Sequence, residues 1–115
     1  MSEKTVWIDF ETLEEFMVDV FKAAGVPEDD AKICADVLIE SDKRGIDSHG
    51  INRLKTIYID RIKDGILNPV TKFEIVREGP TTAVVDGNNG MGMVVAKKSM
   101  EMAIEKARKY GMGMV

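Results

Sequence analysis

Apolar residues recur at helical spacing from the start of the chain. Leu13, Phe16, Met17, Val20, Phe21 and Ala24 fall on one stripe, which predicts an amphipathic helix. Asp9 is placed to cap it, Glu11, Glu14 and Glu15 suit the positive end of its dipole, and Gly25 predicts a left-handed stop. Val26-Pro27 followed by Glu28, Asp29 and Asp30 opens a second helix. Its stripe of Ala31, Cys34, Ala35, Leu38 and Ser41 is mostly small residues, which let two helices approach closely. Arg44-Gly45 predicts its end. A third helix is predicted from Ser48 to about Asp64, with Ser48 as cap, Asp47 as the competing cap and Gly65 as the stop. Ile51, Leu54, Tyr58 and Ile62 lie along one side of it.

The period then changes from helical to alternating. Lys72–Glu78 and Thr81–Asp86 read as two short strands joined through Gly79-Pro80, which predicts a hairpin. Phe73, Ile75 and Arg77 share one face of the first strand, opposite Glu74 and Val76; Ala83 and Val85 share a face of the second. Asp86 to Gly90 is a turn signal. A fourth helix follows from about Met91 to Lys109, with Met100, Ala103, Ile104 and Ala107 inward and Gly111 as its stop. Met112–Val115 reads as the start of another strand. These elements predict an α+β chain: residues 1–67 form an N-terminal helical region and residues 68–115 the start of a mixed α/β region. A compact domain seldom stops a few residues into a strand, so the expectation is a truncated N-terminal part of something longer.

Composition narrows the class. The chain has 115 residues, 44% hydrophobic and 31% charged, which is the range of one globular domain rather than a disordered segment. No apolar run is long enough to span a bilayer, there is no apolar signal region, and the single cysteine excludes an internal disulfide. These features predict a soluble cytoplasmic protein. Net charge is −4, which argues against nucleic acid or an anionic membrane as partner. The charge is uneven: residues 1–43 hold 12 acids and 4 bases, residues 44–115 hold 8 acids and 12 bases. The simple account is two solvated faces; the sharper one is an anionic ligand on the second part. Trp7 and Tyr110 are expected to pack, Cys34 to be a buried inert thiol, and the eight methionines to fill core or interface.

The candidate chemistry centres on His49, the only histidine, in Asp47-Ser48-His49-Gly50-Ile51-Asn52-Arg53. If Ser48 caps the third helix, His49 sits in its first turn, where the dipole disfavours a charged imidazole. Arg53 is four residues on, so it shares that face. Arginine grips a carboxylate through two parallel hydrogen bonds, and histidine exchanges a proton with the oxygen on the neighbouring carbon. A 2-oxo or 2-hydroxy acid has that shape. On spacing alone a structural histidine is the commoner reading, because a lone histidine near a helix start is more often structural. Tyr58 belongs to the core or reaches this face; in a straight helix it points away from His49. The cluster Gly87-x-x-Gly90-x-Gly92 sits between a strand and a helix but lacks the G-x-G-x-x-G order, which leaves a turn and cap, or an anion at a helix start. No histidine, cysteine and carboxylate spacing predicts a metal site. A helix-turn-helix reading of the second and third helices is opposed by the acids around Arg53, Lys55, Arg61 and Lys63.

The run Ser41-Asp42-Lys43-Arg44-Gly45-Ile46-Asp47-Ser48-His49-Gly50-Ile51-Asn52-Arg53-Leu54 strongly resembles the malate/L-lactate dehydrogenase family of the non-Rossmann type. Sulfolactate, ureidoglycolate and diketogulonate dehydrogenases or reductases are among its members. Ala24-Gly25-Val26-Pro27, Gly65 to Pro69, Arg77-Glu78-Gly79-Pro80 and Val85-Asp86-Gly87 through Gly92 agree in order. The resemblance implies hydride transfer between NAD or NADP and a small 2-hydroxy or 2-oxo acid such as malate or lactate. It implies His49 as the catalytic proton donor or acceptor, Arg53 as the carboxylate anchor, Ser48 and Asp47 in support, and a homodimer. The family often has a tyrosine eight residues after the histidine; here that position is Ile57, and Tyr58, which follows with one residue extra, is the substrate-binding candidate beside Arg53. The main cofactor-binding segments of the family lie beyond Val115, so this piece alone is expected to be inactive. The contrasting expectation is a small-anion binding or regulatory module that keeps the helices and Arg53 without catalysis.

Overall fold

The computed structural model describes residues 4–115. Helix α1 spans Phe10–Ala23 and α2 spans Glu28–Lys43. Asp9 caps α1 as the sequence predicts: its Oδ1 accepts the Thr12 backbone N–H at 2.8 Å, and its Oδ2 accepts the Thr12 hydroxyl at 2.8 Å. The first of these bonds is the main reason the Asp9 carboxyl is held below its ordinary value. Two turns of 3₁₀ helix follow α2, at Asp47–His49 and Ile51–Arg53. The chain then winds as π helix over Leu54–Ile59 and closes with the short α3, Asp60–Lys63. Strands β1 (Glu74–Glu78) and β2 (Ala83–Asp86) form an antiparallel hairpin, and α4 spans Gly92–Tyr110. Gly25, Gly45, Gly65 and Gly111 all take positive φ where the sequence predicts helical segments to stop.

The core is built on the α1–α2 pair. Met17 and Phe21 of α1 and Val26 of the turn meet Ala31, Cys34, Ala35, Leu38 and Ile39 of α2, all buried. Leu54 and the start of α4, through Met91, Met93 and Val94, complete the cluster. Truncating the wholly buried Phe21 to Ala is expected to cost about 3–5 kcal/mol. The hairpin and the far end of α4 reach beyond this core. The radius of gyration is 16.4 Å, against about 13 Å for a compact chain of this length.

Several expectations are corrected. The third helix is not a regular α-helix from Ser48, and neither Ser48 nor Asp47 caps a helix through its side chain. The β1 alternation breaks at a bulge: Ile75 pairs with Val85, but Arg77 pairs with Val84, so Val76 is the extra residue. Phe16 is exposed because α2 covers only the Met17–Phe21 side of α1. Met100 and Ile104 are also exposed, because α4 joins the core through its first turn alone. Trp7 is 93% exposed and Tyr110 is exposed too; neither packs into the core. The strand start at Met112–Val115 is visible as a parallel bridge between Thr82 and Met114.

Candidate active site

The segment after α2 has no room to wander. Ile46 N–H returns to Ser41 O at 2.8 Å, closing α2, and His49 N–H donates to Ile46 O at 3.0 Å. The first 3₁₀ turn therefore starts at once and presents Asp47, Ser48 and His49 at the surface. Arg53 N–H donates to Gly50 O at 3.0 Å, which sets the second turn on the first.

These two turns bring Ser48, His49 and Arg53 together. The Ser48 hydroxyl lies 2.8 Å from His49 Nδ1. Arg53 Nη2 lies 3.2 Å from His49 Nε2, and Arg53 Nε donates to the Ser48 carbonyl oxygen at 2.8 Å. Arginine is held by a backbone acceptor and by the ring, so its guanidinium is oriented before any ligand arrives. With Nε engaged, the two terminal nitrogens form the edge open to a planar anion. Asp47 takes no part: its side chain makes no hydrogen bond or ion pair among the described residues.

Tyr58 stands apart from this trio. Its ring packs edge-on against Phe21, with centroids 6.0 Å apart, and no hydrogen bond joins it to His49 or Arg53. Desolvation is the main cause that raises the Tyr58 phenol, while the Arg53 charge opposes it. The core side of the sequence reading is the one the structure favours. The π turn is the local reason for its direction. A π turn takes up more residues than an α turn, and here it spends the surplus residue while Leu54, Tyr58 and Ile62 stay on the buried side.

One residue of the site was missed in the sequence. Asp42, in the last turn of α2, accepts the Ile51 backbone N–H through Oδ2 at 2.9 Å. The available signal was an acid at a helix end ahead of a glycine that directly follows the histidine.

The glycine cluster forms a turn and cap. Asn88 and Asn89 take positive φ, Gly90 N–H donates to Gly87 O at 2.9 Å, and Met91 N–H donates to the Thr71 hydroxyl at 2.9 Å. A Cβ on Gly90 would collide with Thr71. With these two amides engaged and Thr71 seated on the turn, the cluster serves to close the turn and start α4. Among the described residues, no group of histidine, cysteine and carboxylates is arranged to hold a metal ion. Among the same residues, no helix is long and apolar enough to cross a membrane.

Comparison with known proteins identifies the family. Residues 8–115 match the malate/L-lactate dehydrogenase family, and the chain belongs to it. It is 50% identical over 105 residues to an L-sulfolactate dehydrogenase of Methanocaldococcus jannaschii, a match that covers 91% of this chain and 30% of the relative. It is also 50% identical over 115 residues to a malate dehydrogenase of Pyrococcus abyssi, covering 100% of this chain and 32% of that protein. The crystal structure of malate dehydrogenase from Entamoeba histolytica superposes with a TM-score of 0.93 at 52% identity, over 96% of this chain and 30% of that one. The chain thus spans about a third of the length of the curated relatives it matches.

Proposed function

We propose that the full-length protein bearing this chain is an oxidoreductase that moves a hydride between NAD or NADP and a small 2-hydroxy or 2-oxo acid such as malate, lactate or sulfolactate. The observation that carries this reading is the His49–Arg53 contact at 3.2 Å, with both side chains tied to Ser48. Oxidation of a 2-hydroxy acid removes a hydride from carbon and a proton from oxygen. The proton half is the half these residues serve. Arg53 binds the carboxylate end-on through its terminal nitrogens. That leaves the substrate oxygen, one carbon away, beside His49 Nε2, which takes its proton or returns it in the reverse direction. Ser48 holds the opposite ring nitrogen, and Nε2, which faces Arg53 Nη2, is freed for the substrate oxygen once the carboxylate draws that nitrogen away. Asp47 supports the turn by its backbone, and Tyr58 stands on the core side, packed against Phe21. The nicotinamide cofactor, when bound, would supply or take the hydride.

The family resemblance extends this reading to a homodimer; composition and the single cysteine extend it to a cytoplasmic protein, and the order of elements to residues 1–67 as the helical region carrying the site and 68–115 as the start of the mixed α/β region. The test is a panel of 2-oxo acids with NADH and NADPH on the full-length protein, read at the nicotinamide absorbance. Turnover of a small 2-oxo acid supports the reading. Binding of such acids without turnover under either cofactor replaces it with an anion-binding module.

A further inference from the structure

We propose that Asp42 is the positioning residue for the His49–Arg53 pair, fixing through the backbone the junction between the turns that carry them; this inference rests on the function proposed above. Two independent contacts meet at its carboxylate. Oδ2 accepts the Ile51 N–H at 2.9 Å, a part-buried bond that ties the start of the second 3₁₀ turn to the end of α2. Gly50, which is buried, faces the same carboxylate so closely that a Cβ there would fall on its oxygens. The residue between histidine and the tethered amide is therefore pinned against Asp42 by contact while its neighbour is pinned by hydrogen bond.

The site needs such a tether. Each 3₁₀ turn is three residues long and has few bonds of its own. The closing bond of the first, Gly50 N–H to Asp47 O, is long at 3.4 Å. Turns this short do not hold a geometry alone. The α2 helix, buried through Leu38 and Ile39, is the rigid element to which they can be referred. Asp42 makes no bond to His49 or Arg53, so it acts on where their backbones stand and not on the reacting atoms.

What the arrangement asks of residue 42 is an acceptor of one backbone N–H on a short side chain. An amide oxygen meets that need as well as a carboxylate oxygen does. A role through negative charge does not survive the same replacement, and this separates the two.

The test is steady-state kinetics of the full-length enzyme with its 2-oxo acid, comparing Asp42→Ala, Asp42→Asn, Gly50→Ala and His49→Ala, with circular dichroism and cofactor affinity measured on each. Displacing a catalytic pair by about an ångström costs on the order of a hundredfold. Asp42→Ala and Gly50→Ala are expected to lower kcat/KM for the acid by about that factor with cofactor affinity kept. Asp42→Asn is expected to recover most of the loss. The proposal is overturned if Asp42→Ala matches the parent, or if folded Asp42→Asn is as impaired as Asp42→Ala. Should Asp42→Ala fail to fold, folded Asp42→Asn and Gly50→Ala decide: recovery in the first with loss in the second supports the tether, and any other pattern overturns it. An active His49→Ala sinks the proposed function itself, whereas an inactive His49→Ala beside an active Asp42→Ala sinks only the positioning role.

Discussion

Arg53 Nη2 stands 3.2 Å from His49 Nε2, and a guanidinium has only hydrogens to offer, so Nε2 must be the acceptor. In the neutral ring the proton then lies on Nδ1, where it points at the Ser48 hydroxyl 2.8 Å away. This assignment follows from hydrogen-bond logic and is open to direct measurement. Nitrogen-15 spectra of the full-length protein at a pH where the ring is neutral are expected to show the Nδ1–H tautomer. Ser48→Ala should keep this tautomer, because the Arg53 contact sets it, and lower turnover by about tenfold, the worth of one hydrogen bond of about 1 kcal/mol or slightly more. Turnover in Ser48→Ala equal to the parent's argues against the Ser48 role.

Arg53→Lys should behave as a severe substitution. Lysine supplies a point charge but cannot donate to Ser48 O and His49 Nε2 while also presenting two parallel donors to a carboxylate. Losing one charge-assisted bond is expected to lower kcat/KM for the acid by about tenfold to a hundredfold. Most of that loss should appear as a higher KM. A variant with the parent's substrate affinity removes Arg53 as the anchor.

Much of the fold was legible because its signals are local. Asp9, Gly25, Arg44-Gly45 and Gly111 punctuate α1, α2 and α4 where caps and stops were expected, and the hairpin ends on the expected turns. The misses come from tertiary context. Periodicity could show that Ile51, Leu54, Tyr58 and Ile62 share a side, but it could not show that the backbone there winds as 3₁₀ and then π helix. It gave α4 an apolar stripe without showing that Met100 lies 61% exposed, beyond the reach of the core. In the site, the four-residue spacing brought His49 to Arg53 as read. The Asp42–Ile51 bond joins residues nine apart across a helix end, which no single periodicity reports.

Lys106 is the long-range fastener of the hairpin. Its side chain is only 11% exposed, and its ammonium donates to Glu78 Oε1 at 2.9 Å and to Gly79 O at 2.8 Å. Lys106→Met keeps the aliphatic stem and removes both bonds. The expected cost to the local structure is about 1.5–3 kcal/mol. Amide exchange at Gly79, whose N–H bonds to Thr82 O, should speed up by about tenfold to a hundredfold. Exchange at the parent's rate contradicts the fastening role.

Cys34 gives a pH signature. Burial first, and then the negative Asp30, push its thiol from 9.0 up to about 12. The unfolded chain therefore releases this proton at lower pH than the folded one. The contribution to stability is fully present below about pH 9 and is lost as pH rises toward 12. Cys34→Ala is expected to flatten the fall of stability over that window. The native thiol should also resist alkylation at pH 8 and react once unfolded. Rapid labelling of the native protein contradicts the burial argument.

The central claim is that His49 handles the substrate proton. The most direct measurement is kcat of full-length His49→Ala with the preferred 2-oxo acid, alongside its affinity for the nicotinamide cofactor. A lost general acid–base typically costs about a hundredfold to ten-thousandfold. The account predicts a fall of that size with cofactor affinity unchanged; a variant that turns over like the parent contradicts it.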